Sequence, residues 1–173
     1  VCAGSEVPRI DCVAPVAAQA STLLLKRQGS GKHLLLWSWR QGGATSKSAF
    51  GDPVADESYD LCLYDETAGG SSLVLAVDVP AGSAWEESSG GFDYTDASGA
   101  AAGLRRITLR ASPVDGRSRI KLRATGAALP VPSLPLAQDS TVTLQLVGAN
   151  ACWESRFSSA TSNGTERFRA RSD

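Results

Sequence analysis

The stretch LRRITLRASPVDGRSRIKLRA, residues 104–124, decides the fold class of this chain. Apolar and polar residues alternate on both sides of the turn-forming residues 112–116, which include Pro, Asp and Gly. This pattern predicts two β-strands joined as a hairpin. In the second strand, Ile120 and Leu122 would face a core, and the cations between them would face the opposite side.

The same alternation recurs along the chain, and no helical periodicity is sustained. The segments that show it are residues 21–27, 32–39, 59–64, 71–79, 92–94, 104–111, 117–124, 141–147, 152–158 and 166–170. We therefore predict an all-β fold, a single antiparallel β-sandwich of about 8–10 strands stapled by disulfides, over residues 20–173. Residues 1–19 form an N-terminal segment that we expect to act as a clip or as a donor strand for a neighbour's sheet edge.

Length and composition indicate one globular domain. The chain has 173 residues, of which 42% are hydrophobic and 20% are charged, and this is enough to bury a core. Its net charge of −1 excludes a uniformly basic nucleic-acid binder, and its single histidine excludes a His-rich metal centre. No run approaches the ~18 apolar residues that a membrane span needs. We expect no nucleic-acid partner, no membrane span and no cofactor.

The four cysteines, Cys2, Cys12, Cys62 and Cys152, predict two disulfides, because their number is even and no C-x-x-C spacing occurs. Three connectivities are possible. We expect a local clip between Cys2 and Cys12 and a long-range link between Cys62 and Cys152. One observation opposes the second pair: if Trp153 packs inward, strand alternation turns Cys152 outward unless a bulge intervenes.

The cysteines and the absence of methionine together predict an exported protein. A chain without a starting methionine is expected to have been processed, with its signal peptide removed. Disulfides persist mainly in oxidising compartments. We therefore expect a secreted or cell-surface location.

The quoted hairpin carries the clearest candidate binding surface. Alternation predicts six cations on one face of its two strands: Arg106, Arg110, Arg117, Arg119, Lys121 and Arg123. Like charges opposite each other on neighbouring strands are destabilising. Either water and acids on an adjacent strand offset this repulsion, or the face binds an anionic partner, which would be a polysaccharide or the acidic face of another copy.

The charges are unevenly distributed along the chain. Residues 1–100 carry 6 basic and 13 acidic residues, a net charge of −7, whereas residues 101–173 carry 11 and 5, a net charge of +6. Complementary patches on one molecule suit head-to-tail contacts, which form rings or filaments.

The loop before the strand at residues 59–64 is acidic. It contains four closely spaced carboxylates, those of Asp52, Asp56, Glu57 and Asp60. Calcium binds six to eight oxygen ligands, so a calcium site is one interpretation, although the spacing does not match an EF-hand. A solvated loop is the other interpretation.

Two tryptophans admit two interpretations. Trp37 and Trp39 share one face of a predicted strand, where they would form either a sugar-stacking platform or part of the core. Leu34 and Leu36 make the opposite face equally apolar, so alternation alone does not decide which face is buried.

Catalytic motifs have little support. A Ser-His-Asp triad would have to use His33, and no G-x-S-x-G motif occurs. Glu86 and Glu87 are candidates for a carboxylate pair, but neighbouring strand residues point to opposite faces. We expect a protein without enzymatic activity.

Several motifs in a fixed order resemble an uncharacterised β-rich domain of secreted, often modular, proteins of environmental bacteria. The resemblance covers roughly residues 20–173, and it implies an exported β-domain without implying an activity. The motifs are Gly51-Asp52-Pro53, Leu61-Cys62-Leu63-Tyr64-Asp65, Pro80-Ala81-Gly82 with Trp85, Gly91-Phe92-x-Tyr94-x-Asp96, the basic hairpin, Cys152-Trp153 and Phe168-x-Ala170-x-Ser172-Asp173.

The expected function is therefore structural and interactive. We expect an exported bacterial protein that assembles with itself, as a filament, surface or appendage subunit, or docks on an extracellular protein assembly. The alternative is a carbohydrate-binding accessory module for an acidic or neutral glycan. Such a module would use the basic hairpin or the pair Trp37 and Trp39.

Overall fold

The computed structural model describes residues 2 and 5–173, whose regular secondary structure is almost entirely β-strand. Twelve strands form two antiparallel sheets packed together, so the predicted all-β sandwich is confirmed. The one short 3-10 helix in the described residues is Lys47–Phe50, and no helix there is long and apolar enough to cross a membrane. The strands are β1 (Ser21–Lys26), β2 (Leu34–Gly42), β3 (Tyr59–Thr67), β4 (Gly70–Val79), β5 (Trp85–Ser88), β6 (Gly91–Thr95), β7 (Leu104–Arg110), β8 (Ser118–Thr125), β9 (Val142–Val147), β10 (Cys152–Phe157), β11 (Ala160–Gly164) and β12 (Arg167–Arg171).

The two sheets differ in size. The larger sheet has eight strands in the order β11-β12-β1-β2-β8-β7-β6-β5, and the smaller has four in the order β10-β9-β3-β4. The hairpin of residues 104–124 is β7–β8, which lies inside the larger sheet with β8 paired to β2. The two strands that were not predicted, β5 and β11, are the two edges of this sheet.

Large side chains from both sheets fill the space between them. Leu23, Trp37 and Ile120 from the larger sheet and Leu144 and Trp153 from the smaller one belong to one buried cluster. The indole of Trp153 packs against Phe50, with ring centroids 4.7 Å apart. Burial of this apolar surface is the main term that stabilises the fold.

Trp37 and Trp39 are core residues, so their burial supports the interpretation as part of the core and contradicts the sugar-stacking platform. Their exposed fractions are 1% and 0%. A buried indole N–H needs a hydrogen-bond partner. The Nε1 of Trp37 donates to Ser21 Oγ at 3.1 Å and to Ser155 Oγ at 3.0 Å, and the Nε1 of Trp39 donates to the Glu154 carbonyl at 2.9 Å.

The disulfides are Cys2–Cys62 and Cys12–Cys152, so the expected pairing is wrong. Strand order explains why. Cys62 on β3 and Cys152 on β10 are separated by β9, hence by two strand spacings or about 9.6 Å. Bridged Cα atoms lie within about 7 Å of each other. Each cysteine instead pairs with the N-terminal segment, which crosses the outer face of the smaller sheet.

Residues 5–13, here called the strap, are held on that outer face by hydrogen bonds as well as by the disulfides. The backbone N–H of Arg9 donates to Gln145 Oε1 at 3.1 Å, and Gln145 Nε2 donates to the Arg9 carbonyl at 2.7 Å. Val13 forms a parallel bridge to the edge of β10, donating to the Cys152 carbonyl at 2.8 Å. Within the described residues, the N-terminal segment thus contacts strands of its own chain through isolated bridges at Val13 and Pro15, and every residue of β9 is buried.

We predict that either disulfide can be removed only at a cost in stability. Replacing Cys2 and Cys62 by Ser, or Cys12 and Cys152 by Ser, should lower the free energy of unfolding by about 2–5 kcal/mol, because each bridge closes a long loop. Denaturant unfolding of the two double variants measures this. Peptide mapping without reductant is the control for connectivity, and recovery of a Cys2–Cys12 peptide would contradict the structure.

Candidate functional site

The outer face of the larger sheet contains a groove of about 880 Å³. Residues on β1, β2, β7, β8 and β12 line it, and we call it the basic groove. Along each of these strands, every second residue is buried in the core, so the residues between them point outward. The outward-facing lining residues are Thr22, Leu24, Leu36, Ser38, Arg106, Thr108, Arg110, Arg119, Lys121, Arg123 and Arg169.

The cations of β7 and β8 lie directly across from one another. Arg106 is paired with Arg123, and Arg110 is paired with Arg119, in the antiparallel register of the two strands. The repulsion predicted from the sequence is therefore present at two cross-strand positions.

An acid on the neighbouring strand compensates one of these cations. Asp93 on β6 accepts two hydrogen bonds from Arg110 Nη2, at 2.7 Å and 3.0 Å, and one from Thr108 Oγ1 at 3.0 Å. Within the part of the chain that the structure describes, no ion pair forms with the other groove cations on these strands. Those uncompensated cations are Arg106, Arg119, Lys121 and Arg123.

The groove differs from the predicted face at both ends. Arg117 precedes β8 and is not among the residues that line the groove. Arg169 on β12 also lines it, and this residue was not among the predicted cations. The alternation of residues 167–171, RFRAR, was the available signal, but only the register of β12 with β1 shows which face it joins.

The acidic loop does not assemble a cation site. Asp52 Oδ1 accepts the backbone N–H of Val54 at 3.1 Å, and Glu57 Oε1 accepts the N–H of Ala149 at 2.7 Å. These carboxylates stabilise turns, and they do not gather with Asp56 and Asp60 around one point. Among the described residues, the only His, Cys, Asp or Glu ligand atoms that meet in threes are those of Asp11, Cys12 and Cys152, where both sulfurs belong to a disulfide.

The three residues considered for catalysis, His33, Glu86 and Glu87, each contact different residues. His33 Nδ1 accepts the backbone N–H of Gln28 at 3.1 Å, within the turn between β1 and β2. Glu87 pairs with Lys47 at 2.5 Å, whereas Glu86 lies opposite Asp93 in the β5–β6 register. None of the three lines the basic groove.

The chain has no significant match among protein-family models, curated proteins or solved structures. The resemblance to exported bacterial β-rich domains therefore stays a prediction. The geometry and charge of the basic groove are therefore the observations that bear on function.

We predict that the groove lowers the stability of the unliganded protein. Replacing Arg123 by Gln removes the repulsion with Arg106 and should raise the free energy of unfolding by about 0.2–1 kcal/mol at low salt. The gain should shrink at high salt, because salt screens exposed charges. Denaturant unfolding at two salt concentrations measures this, with Lys32→Gln, an exposed cation outside the groove, as the control. A lower free energy of unfolding in the Arg123 variant would contradict this prediction, because it would mean that Arg123 makes a net stabilising interaction.

Proposed function

We propose that this is an exported, non-enzymatic binding protein that holds an acidic polysaccharide in the basic groove. One observation carries the proposal: four cations are placed opposite or beside one another in an open groove without an ion-pair partner in the described chain. Repulsion of this kind lowers stability unless a ligand offsets it. A bound polyanion would supply the missing negative charge.

The rest of the lining suits a sugar polymer. Arginine presents a planar fork of donors that binds carboxylate or sulfate through two parallel hydrogen bonds. Thr22, Ser38 and Thr108 offer hydroxyls that can donate to or accept from sugar hydroxyls. Leu24 and Leu36 offer an aliphatic surface to the C–H faces of sugar rings. The groove thus offers charged, hydroxyl and aliphatic groups, and an acidic polysaccharide has groups that can contact each of the three.

Two other ligand classes fit less well. A neutral glycan bound by stacking needs exposed aromatic rings, and Trp37, the one aromatic residue that lines the groove, is 1% exposed. Single-stranded nucleic acid also relies on aromatic stacking of its bases. The groove therefore favours a ligand that is recognised by its charge and hydroxyl groups.

The two disulfides support a location in an oxidising compartment. An extracellular or cell-surface location, where acidic polysaccharides occur, is part of the proposal.

We predict binding to acidic but not to neutral polysaccharides, with an affinity that falls as salt rises. Replacing Lys121 and Arg123 together by Gln should weaken binding at least about tenfold, because each lost charge-assisted contact removes a large part of the recognition. Calorimetric titration with a soluble uronic-acid polymer, a sulfated glycan and a neutral glucan measures this. The matched control is the double variant Arg27→Gln, Lys32→Gln, which removes the same charge outside the groove. Salt-independent binding, or equal affinity in both double variants, would contradict the proposal.

A second candidate function, head-to-tail self-assembly, is favoured by acids on the opposite side of the sandwich. Asp60 and Asp78 face each other across β3 and β4, and the burial of Leu61 in the core turns them outward. The basic groove of one copy would then contact the acidic face of the next.

For this second function we predict particles larger than the 18.0 kDa monomer at low salt. Asp78→Asn should reduce their size, because it removes an exposed charge from the acidic face. Light scattering and negative-stain microscopy at low and high salt measure this. A monomer at every salt and protein concentration would exclude self-assembly and leave the polysaccharide proposal unaffected.

A further inference from the structure

A second row of cations lies across the basic groove from β8. On β12, Phe168 and Ala170 are fully buried, so Arg167, Arg169 and Arg171 project from the outer face of the larger sheet. Arg171 donates to the side-chain oxygen of Gln19 at 3.4 Å, which is a neutral partner. Within the described residues these three arginines form no ion pair.

Strand register places the two rows opposite each other. Arg169 is paired with Leu24, Leu24 with Leu36, and Leu36 with Arg123, along one line across four strands. A second line runs in the same way through residues 171, 22, 38 and 121, as Arg, Thr, Ser and Lys. Each line therefore has a cation at both ends and two uncharged side chains between them.

The result is a trough with two cationic walls. One wall is on β12 and consists of Arg169, which lines the basic groove, and Arg171, which lines the adjoining pocket. The other wall is Lys121 and Arg123 on β8. The walls are three strand spacings apart, about 14 Å, and successive cations along each wall are about 6.6 Å apart. The floor is one aliphatic pair, Leu24 and Leu36, beside one hydroxyl pair from β1 and β2.

We infer that the trough binds a linear acidic polysaccharide lengthwise, parallel to the strands, with anionic groups on both edges of the chain. In a flat β-1,4-linked uronic-acid polymer, successive sugars are turned over, so the carboxylates project alternately to the two edges. The sugar rings would lie on Leu24 and Leu36, and each edge would meet one wall. This inference rests on the proposed function and names the class of polysaccharide that it requires.

The orientation follows from the placement of charge. A ligand lying across the strands from β8 to β12 would meet only the two cations at the ends of one line, and one extending over β7 to β6 would meet Arg110, which Asp93 already neutralises. A ligand lying along the strands keeps both edges beside uncompensated cations. Lengthwise binding also predicts a minimum ligand length, because the oligomer must present at least one carboxylate on each edge.

The test compares the two walls with β-1,4-linked mannuronate oligomers of increasing length as the probe. Arg169→Gln with Arg171→Gln changes one wall, Lys121→Gln with Arg123→Gln changes the other, and Arg27→Gln with Lys32→Gln is the charge-matched control. All six residues lie on the protein surface, and circular dichroism and the unfolding midpoint verify folding. We expect each wall variant to lose at least about tenfold in affinity and the control to retain the wild-type value.

The outcomes separate this inference from the proposed function. Loss of binding in the β8-wall variant alone would overturn the two-walled trough and leave an acidic-polysaccharide site on the hairpin. Failure of the wild-type protein to bind any acidic polysaccharide would overturn both. A variant with Arg169→Lys and Arg171→Lys keeps the charge but loses the guanidinium fork, and we expect it to bind with an affinity between those of the wild-type protein and the Gln variant.

Discussion

The burial of three indole rings between the sheets determines the direction of the side chains that matter for function. With Trp37 and Trp39 inside, alternation along β2 places Leu36 and Ser38 on the outer face, where they form part of the groove floor. With Trp153 inside, alternation along β10 turns Cys152 outward to meet Cys12 on the N-terminal segment. The groove and the strap, on opposite sides of the sandwich, thus follow from the same packing constraint.

The outer faces of the two sheets differ in whether the chain covers them. The strap covers the smaller sheet and satisfies its polar groups, so that Gln145 is fully buried with hydrogen bonds to Arg9 and Glu154. None of the described residues covers the central strands of the larger sheet in this way, and the cations of this sheet face solvent. The core and the two disulfides stabilise the fold, and the repulsion among the cations on the larger sheet opposes them. An anionic ligand on that face would relieve the repulsion, and this relief would add to its binding affinity.

Much of the fold could be predicted from the sequence because strand alternation is a local signal. Its ten predicted segments correspond to strands, whereas the edge strands β5 and β11 escaped detection. The sequence of β11, Ala160–Gly164, contains small and polar residues without apolar alternation, since an edge strand contributes little to the core. The six cations of the hairpin were found for the same local reason, and five of them line the groove.

What the sequence could not show depends on register and strand order. The disulfide pairing required knowledge that β9 separates Cys62 from Cys152. The choice between Trp37 and Leu36 as the buried face required the packing of the opposite sheet. The second wall required the pairing of β12 with β1, which joins residues about 145 positions apart. Strand alternation indicates the two faces of each strand, but only the pairing of strands distant in sequence shows which of these faces lie together in a candidate site.

If one anionic chain occupies the space between the two cationic walls, its binding must perturb both walls together. A nuclear magnetic resonance titration that follows the arginine Nε–Hε signals as a mannuronate oligomer is added measures this. We expect the signals of Arg123 and Arg169 to shift together with one dissociation constant, while that of Arg27 stays unchanged. Shifts confined to one wall, or to arginines outside the groove, would contradict it.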